Sequence, residues 1–177
     1  MSSATTVERP GAVTMKGQPL TLVGPAVQVG HQAPDFHVID TDLKPRTLSD
    51  YRGHVLLIAS VPSLDTGVCD AETRRFNQEA TRFSPDVRVL TVSMDLPFAQ
   101  KRWCGAAGIE RVITLSDHRE ASFGQAYGTL IKELRLLARA VFVVDKGGKV
   151  TYVEYVPEAT DHPHYEAAIE AVHKAGG

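Results

Sequence analysis

One stretch of the chain carries the residue types that chemistry needs: Pro62-Ser63-Leu64-Asp65-Thr66-Gly67-Val68-Cys69. It lies between an apolar run, Val55 to Val61, and an amphipathic run, Asp70 to Phe83. The apolar run reads as a buried strand ended by Pro62. The second run carries Phe76, Ala80 and Phe83 at helical spacing, and two turns back from Phe76 the same face reaches Cys69. Cys69 is therefore expected in the first turn of a helix, turned inward, just past the C-terminal end of a strand. Sites form at such places in α/β sheets. The thiolate is the nucleophilic form of cysteine. Unpaired N–H groups and the positive end of the helix dipole favour a negative sulfur there. Asp65, Asp70 and Glu72 oppose it, so an activated Cys69 needs a cation from elsewhere in the chain. Thr66 can cap the helix and offer its hydroxyl towards the sulfur. Gly67 removes bulk, and Pro62 removes a donor and stiffens the entry. On these residues alone, an inert core cysteine is the competing reading.

The stretch resembles a known family. Pro62, Thr66 and Cys69 match the P-x-x-x-T-x-x-C motif of peroxiredoxins, and the longer form P-S-L-D-T-G-V-C-D is similar to the thiol peroxidase (Tpx) type of atypical two-cysteine peroxiredoxin. Val29-Gly30-His31-Gln32-Ala33-Pro34-Asp35-Phe36 resembles the peroxiredoxin entry segment. Asp95-Leu96-Pro97-Phe98-Ala99-Gln100 with Trp103-Cys104-Gly105 resembles the helix of the resolving cysteine, and Ala138-Arg139-Ala140-Val141 the arginine strand. The likeness runs from about Val13 to the C-terminus.

This resemblance implies a thiol peroxidase acting on hydrogen peroxide and organic hydroperoxides. Cys69 would attack the terminal oxygen of R–O–OH, become a sulfenic acid and release water or an alcohol. Thr66 would hold the peroxide, and Arg139 would supply the missing cation, meeting the sulfur and a peroxide oxygen with its fork of donors. Without the resemblance, Arg139 reads as a solvated charge at a strand end. Cys104 would resolve the sulfenic acid in an intramolecular disulfide with Cys69, and thioredoxin would reduce that bond. Lys101 and Arg102 are expected to favour the Cys104 thiolate. A disulfide needs Cα atoms within about 7 Å, so local unwinding at the Cys69 helix start, the Cys104 helix or both is expected. The family implies a homodimer and no cofactor or metal.

The totals fit this reading. A chain of 177 residues, 43% hydrophobic and 23% charged, suits one domain with a full core. A net charge of −2 gives no general attraction to nucleic acid or an anionic membrane. No apolar run is long enough to span a bilayer. Met1 to Gly11 lacks an apolar signal-peptide core, so a cytoplasmic protein is expected. There a permanent disulfide is disfavoured, and the wide separation of Cys69 and Cys104 excludes a C-x-x-C motif. The prolyl link in His162-Pro163-His164 argues against a metal site. A redox sensor on the same fold and a structural disulfide protein are the remaining alternatives.

Residues 1–12 are expected to be disordered and 13–177 to form one thioredoxin-like domain. A hairpin is expected over Val13 to Val23, and strands at Phe36–Ile39, Val55–Ser60, Val87–Ser93, Val112–Leu115, Ala140–Val144 and Lys149–Val156. Helices are expected from Thr66 to about Ser84, from Asp95 as cap to Ala107, over Arg119–Tyr127 and over His164–Ala175. This alternation predicts an α/β fold with a mixed central sheet flanked by helices and preceded by an N-terminal β-hairpin.

Overall fold

A computed structural model describes residues 7–176. Its centre is a seven-stranded mixed sheet, in the order β11-β10-β5-β6-β7-β3-β4. The strands are β3 (His37–Ile39), β4 (Pro45–Thr47), β5 (Val55–Ser60), β6 (Val87–Ser93), β7 (Val112–Ser116), β10 (Ala140–Val144) and β11 (Val150–Tyr155). β5, β6 and β7 run parallel, while β10 pairs antiparallel with both β5 and β11. The helices α1 (Gly67–Ala80), α2 (Pro97–Ala107), α3 (Ser122–Ala126) and α4 (Tyr165–Lys174) connect or cover these strands. A second sheet holds β1 (Glu8–Met15), β2 (Gln18–Val23), β8 (Leu130–Ile131) and β9 (Leu136–Leu137) in that order.

Side-chain alternation along the central strands divides the core. Val55, Leu57 and Ala59 of β5, with Val141 and Val143 of β10, face Phe76 of α1 and Ala168 and Val172 of α4. Leu56, Ile58, Phe142 and Val144 face the other way, towards Phe36, Phe123 and Tyr127. Every β5 residue is buried, as a strand packed on both faces requires. Each such Leu or Ile contributes about 1.5–3 kcal/mol of burial. On the second face Phe123 and Tyr127 stack with ring centroids 4.4 Å apart. The Tyr155 hydroxyl donates to Tyr127 O across 2.6 Å.

Several elements differ from expectation. Residues 8–12, expected to be disordered, form the first half of β1, and a shift of register between Arg9 and Val13 absorbs Pro10-Gly11; residues 1–6 lie outside the described residues. β4 was not anticipated, because Pro45 at its start hides the strand pattern. The segment from Thr129 to Leu137, where no element is expected, forms the small β8–β9 hairpin, with Leu130 and Leu137 in the core. α3 is shorter than Arg119–Tyr127, since Ala121 takes a left-handed conformation and the Asp117 carboxylate accepts from the N–H groups of Phe123 and Gly124.

Asp95 does not cap α2. That N-cap is Leu96, without a side-chain bond, while Pro97 opens the helix and Gly108, at φ 68°, closes it in the left-handed region. The Asp95 carboxylate turns instead to the loop after β5.

Candidate active site

The site is assembled where β5 gives way to α1. Pro62 is buried two residues after β5, and the chain then turns through half-buried Ser63, buried Leu64 and exposed Asp65 to the N-cap Thr66. Thr66 Oγ1 accepts from Cys69 N at 3.4 Å and donates to Ser63 O at 3.1 Å. Its hydrogen is thus committed to the loop backbone rather than pointed at the sulfur, as the sequence suggested. Cys69 lies in the first turn of α1 as expected, completely buried and packed with Val61, Leu64 and Trp103.

The cation missing from the local sequence arrives from the opposite strand. Arg139 stands immediately before β10, and the antiparallel pairing of Ala140 with Ser60 brings it beside the end of β5. Its Nη2 donates to Cys69 Sγ across 3.2 Å. Nε and Nη2 also donate to Ala159 O at 3.3 and 3.0 Å, which fixes the plane of the fork. Arg139 is only 1% exposed, so the solvated-charge alternative does not hold.

Glu72 is the site residue that the sequence pattern concealed. It follows Cys69 by one helical turn, on the same inward face, and is fully buried. Glu72 Oε1 lies 3.5 Å from Arg139 Nη1, and neither carboxylate oxygen has a hydrogen-bond partner. At that length the contact is charge attraction more than a formed hydrogen bond. Burial pushes the Glu72 carboxyl up to about 8, with Arg139 pulling it down by less. The available signal was an acidic residue in step with Cys69 and Phe76; it read only as a charge opposing the thiolate.

Cys104 is set apart from this group. Both cysteines are free, and Cys104 Sγ lies 3.6 Å from Thr114 Oγ1 of β7. Burial raises the Cys104 thiol above its usual range, while the Thr114 hydroxyl acts in the other direction. The expected help from Lys101 does not appear, because that side chain pairs with Asp42 at 3.7 Å. A pocket of about 480 Å³ opens beside Cys104, lined also by Asp40, Arg46, Lys101 and Ile113. Trp103, one residue before Cys104, packs against the cluster that holds Cys69 and links the two neighbourhoods. Cys69, Thr66 and Arg139 are therefore joined by hydrogen bonds, Pro62 heads their loop, and Cys104 waits on the neighbouring helix.

Comparison with known proteins agrees with this geometry. Residues 28–169 match the Redoxin family model. A thiol peroxidase of Bacillus subtilis is 62% identical over 90% of this chain and 95% of its own length. One from Listeria innocua is 59% identical over 92% and 98%. A peroxiredoxin-like protein from Aquifex aeolicus, solved by crystallography, superposes with a TM-score of 0.86 at 42% identity, covering 97% of this chain and 99% of its own. A thiol peroxidase from Chromobacterium violaceum, at 21% identity and a TM-score of 0.82 over 93% of this chain and 95% of its own, shares the fold. A thioredoxin-like sheet with a capped cysteine and a buried guanidinium, together with these matches, places the chain in the redoxin family, among its thiol peroxidases.

Proposed function

We propose that the chain reduces hydroperoxides through Cys69, with Arg139 and Thr66 shaping the reaction and Cys104 resolving it. The observation that carries this reading is the 3.2 Å bond from Arg139 Nη2 to Cys69 Sγ. A guanidinium at that distance, in a buried site, stabilises negative charge on sulfur and then on the departing oxygen. The sulfur attacks the terminal oxygen of R–O–OH, the O–O bond breaks, and the alkoxide leaves with a proton as alcohol or water. Cys69 has then been oxidised by two electrons to a sulfenic acid. Attack by the Cys104 thiolate on that sulfur forms the S–S bond and expels hydroxide, which leaves as water. A dithiol reductant of the thioredoxin kind restores both thiols by exchange. Pro62 keeps the loop's entry stiff.

Thioredoxin as reductant fits a reducing compartment, the cytoplasm. Leu96 and Phe98, 52% and 69% exposed at the head of α2, offer apolar surface that a second copy would cover in a homodimer. Among the described residues no helix is long and apolar enough to cross a membrane.

The test is steady-state NADPH oxidation with thioredoxin and its reductase, using hydrogen peroxide and an organic hydroperoxide. Wild-type protein should turn over with both, and Cys69→Ser with neither. Stoichiometric oxidation without turnover would favour a redox sensor instead.

A further inference from the structure

The Asp95 carboxylate ties the loop that leads to Cys69 to the end of β6. Its Oδ1 accepts from Ser63 Oγ at 2.7 Å, and its Oδ2 from Leu64 N at 2.9 Å and Ser93 Oγ at 2.7 Å. Ser63 and Leu64 belong to the loop that delivers Cys69, and Ser93 ends β6. The backbone of Asp95 is held as well: its carbonyl accepts from Ser116 Oγ at 2.5 Å. Gln100, buried one turn into α2, donates to Ser93 Oγ at 3.1 Å and to Leu115 O at 2.9 Å. The head of α2 is thus anchored to the ends of β6 and β7. Downstream, Lys101, Arg102, Gly105 and Ala106 are exposed, and Cys104 lies in that more weakly held half.

From Asp95 a chain of bonds leads to the reactive sulfur's helix. Ser63 O accepts from Thr66 N at 3.2 Å and from Thr66 Oγ1 at 3.1 Å. Thr66 Oγ1 in turn accepts from Cys69 N. No bond in this chain involves Cys104, Trp103 or the second half of α2.

We propose that Asp95 is a positioning residue that fixes the Ser63–Thr66 turn, and with it the N-terminus of α1, against a stationary head of α2. The charged carboxylate suits this task because its bonds to N–H and O–H groups are stronger than neutral ones. Three donors meet two oxygens, so an amide in its place must present an N–H to at least one of them. Ser63 Oγ, which also accepts, can take that N–H, but the charge-assisted bonds are lost and the turn is held less firmly while the fold keeps the same volume. The second half of α2 remains free to carry Cys104 towards Cys69 after oxidation. Asp95 therefore governs the attack on peroxide and not the later closure of the disulfide.

This inference rests on Cys69 being the peroxide-reactive thiol, and stopped-flow Trp103 fluorescence separates the two. Trp103 is the sole tryptophan and packs beside Cys69. Reduced wild-type protein should give a first phase whose rate rises with peroxide concentration and a second that does not depend on it. Asp95→Asn should slow the first phase about tenfold or more, as small misplacement of a reacting group does, and leave the second within about twofold. Ser63→Ala, which removes a single bond, should slow the first phase by less. Equal slowing of both phases, as a loosened fold would give, overturns the assignment. So does an unchanged first phase in both variants. Should Asp95→Asn not fold, Ser63→Ala alone decides by whether only its first phase slows. A wild-type protein without any peroxide-dependent phase would instead refute the peroxidase reading itself.

Discussion

Glu72 Oε1 stands 3.5 Å from Arg139 Nη1, with both side chains sealed from water. The same guanidinium donates to Cys69 Sγ, so one cation faces two groups that can carry negative charge. In a low-dielectric site a second anion around one cation is costly. Burial holds the Glu72 carboxyl at about 8, and the nearby Glu154 adds a smaller push in the same direction. Near neutrality Glu72 keeps its proton, and the charge of Arg139 is left to the sulfur.

Stability should fall with rising pH because of Glu72. Its value is raised from 4.5 to about 8 in the folded chain. Between those limits the unfolded chain has lost the proton that the folded chain still holds. The stabilisation from holding it is complete below about 4.5 and is lost progressively as pH climbs to about 8. Glu72→Gln mimics the protonated carboxyl at all pH values. Denaturant titrations from pH 5 to 9 should show it gaining on wild type by a few kcal/mol at most across that window. A constant offset between the two would contradict the assignment. Above pH 8 the variant should also keep more peroxidase activity, since no carboxylate competes for Arg139.

Arg139→Lys keeps the positive charge but loses the fork. A single ammonium cannot reproduce the geometry in which Ala159 O orients Nε and Nη2 while Nη2 reaches Cys69 Sγ. The second-order rate of peroxide consumption should drop about 100-fold, the scale of losing a preorganised donor. If Arg139→Lys reacts as fast as wild type, charge alone suffices and the fork is not needed.

Thr66 separates capping from hydroxyl chemistry. Thr66→Val removes the acceptor for Cys69 N and the donor to Ser63 O, at a cost of about 1 kcal/mol in stability. Displacement of the α1 terminus should lower the peroxide rate about tenfold. Thr66→Ser restores both bonds, so melting temperature and rate should return close to wild type. A serine variant as slow as valine would mean that the methyl group, not the oxygen, is what the site requires.

The central elements were legible because their signals are local. β5, β6 and β10 are short apolar runs bounded by turns, and their observed limits match those read from the sequence. The Cys69 helix start was legible from the spacing of Phe76 and Phe83. What escaped depends on partners distant in sequence. Glu72 looks like an ordinary helical acid until β10 places Arg139 against it. Asp95 looks like a cap, since cap residues share its type and position, but Ser63, Leu64 and Ser93 outbid the helix for its oxygens. For Arg139 the residues alone favoured the wrong environment, and only the family resemblance pointed inward. The start of β1 was hidden by Pro10-Gly11, which a bulge absorbs.

In the proposed cycle the disulfide step is a conformational one, because each thiol has other partners in the reduced protein. Cys69 is bonded to Arg139 and packs with Trp103, while Cys104 lies against Thr114 of β7. Joining them breaks the Thr114 contact and, with the α1 start held through Asp95, unwinds the exposed half of α2. Amide exchange measured on reduced and oxidised protein should therefore differ most at residues 101–108, with faster exchange when oxidised. The head of α2, anchored through Gln100, should change least. In Cys104→Ser the disulfide cannot form, so peroxide treatment should leave residues 101–108 as protected as in the reduced protein, and Cys69 should proceed to the sulfinic acid with excess peroxide. Identical exchange in the oxidised and reduced wild type would mean that the sulfurs meet without unwinding α2, and would overturn this account.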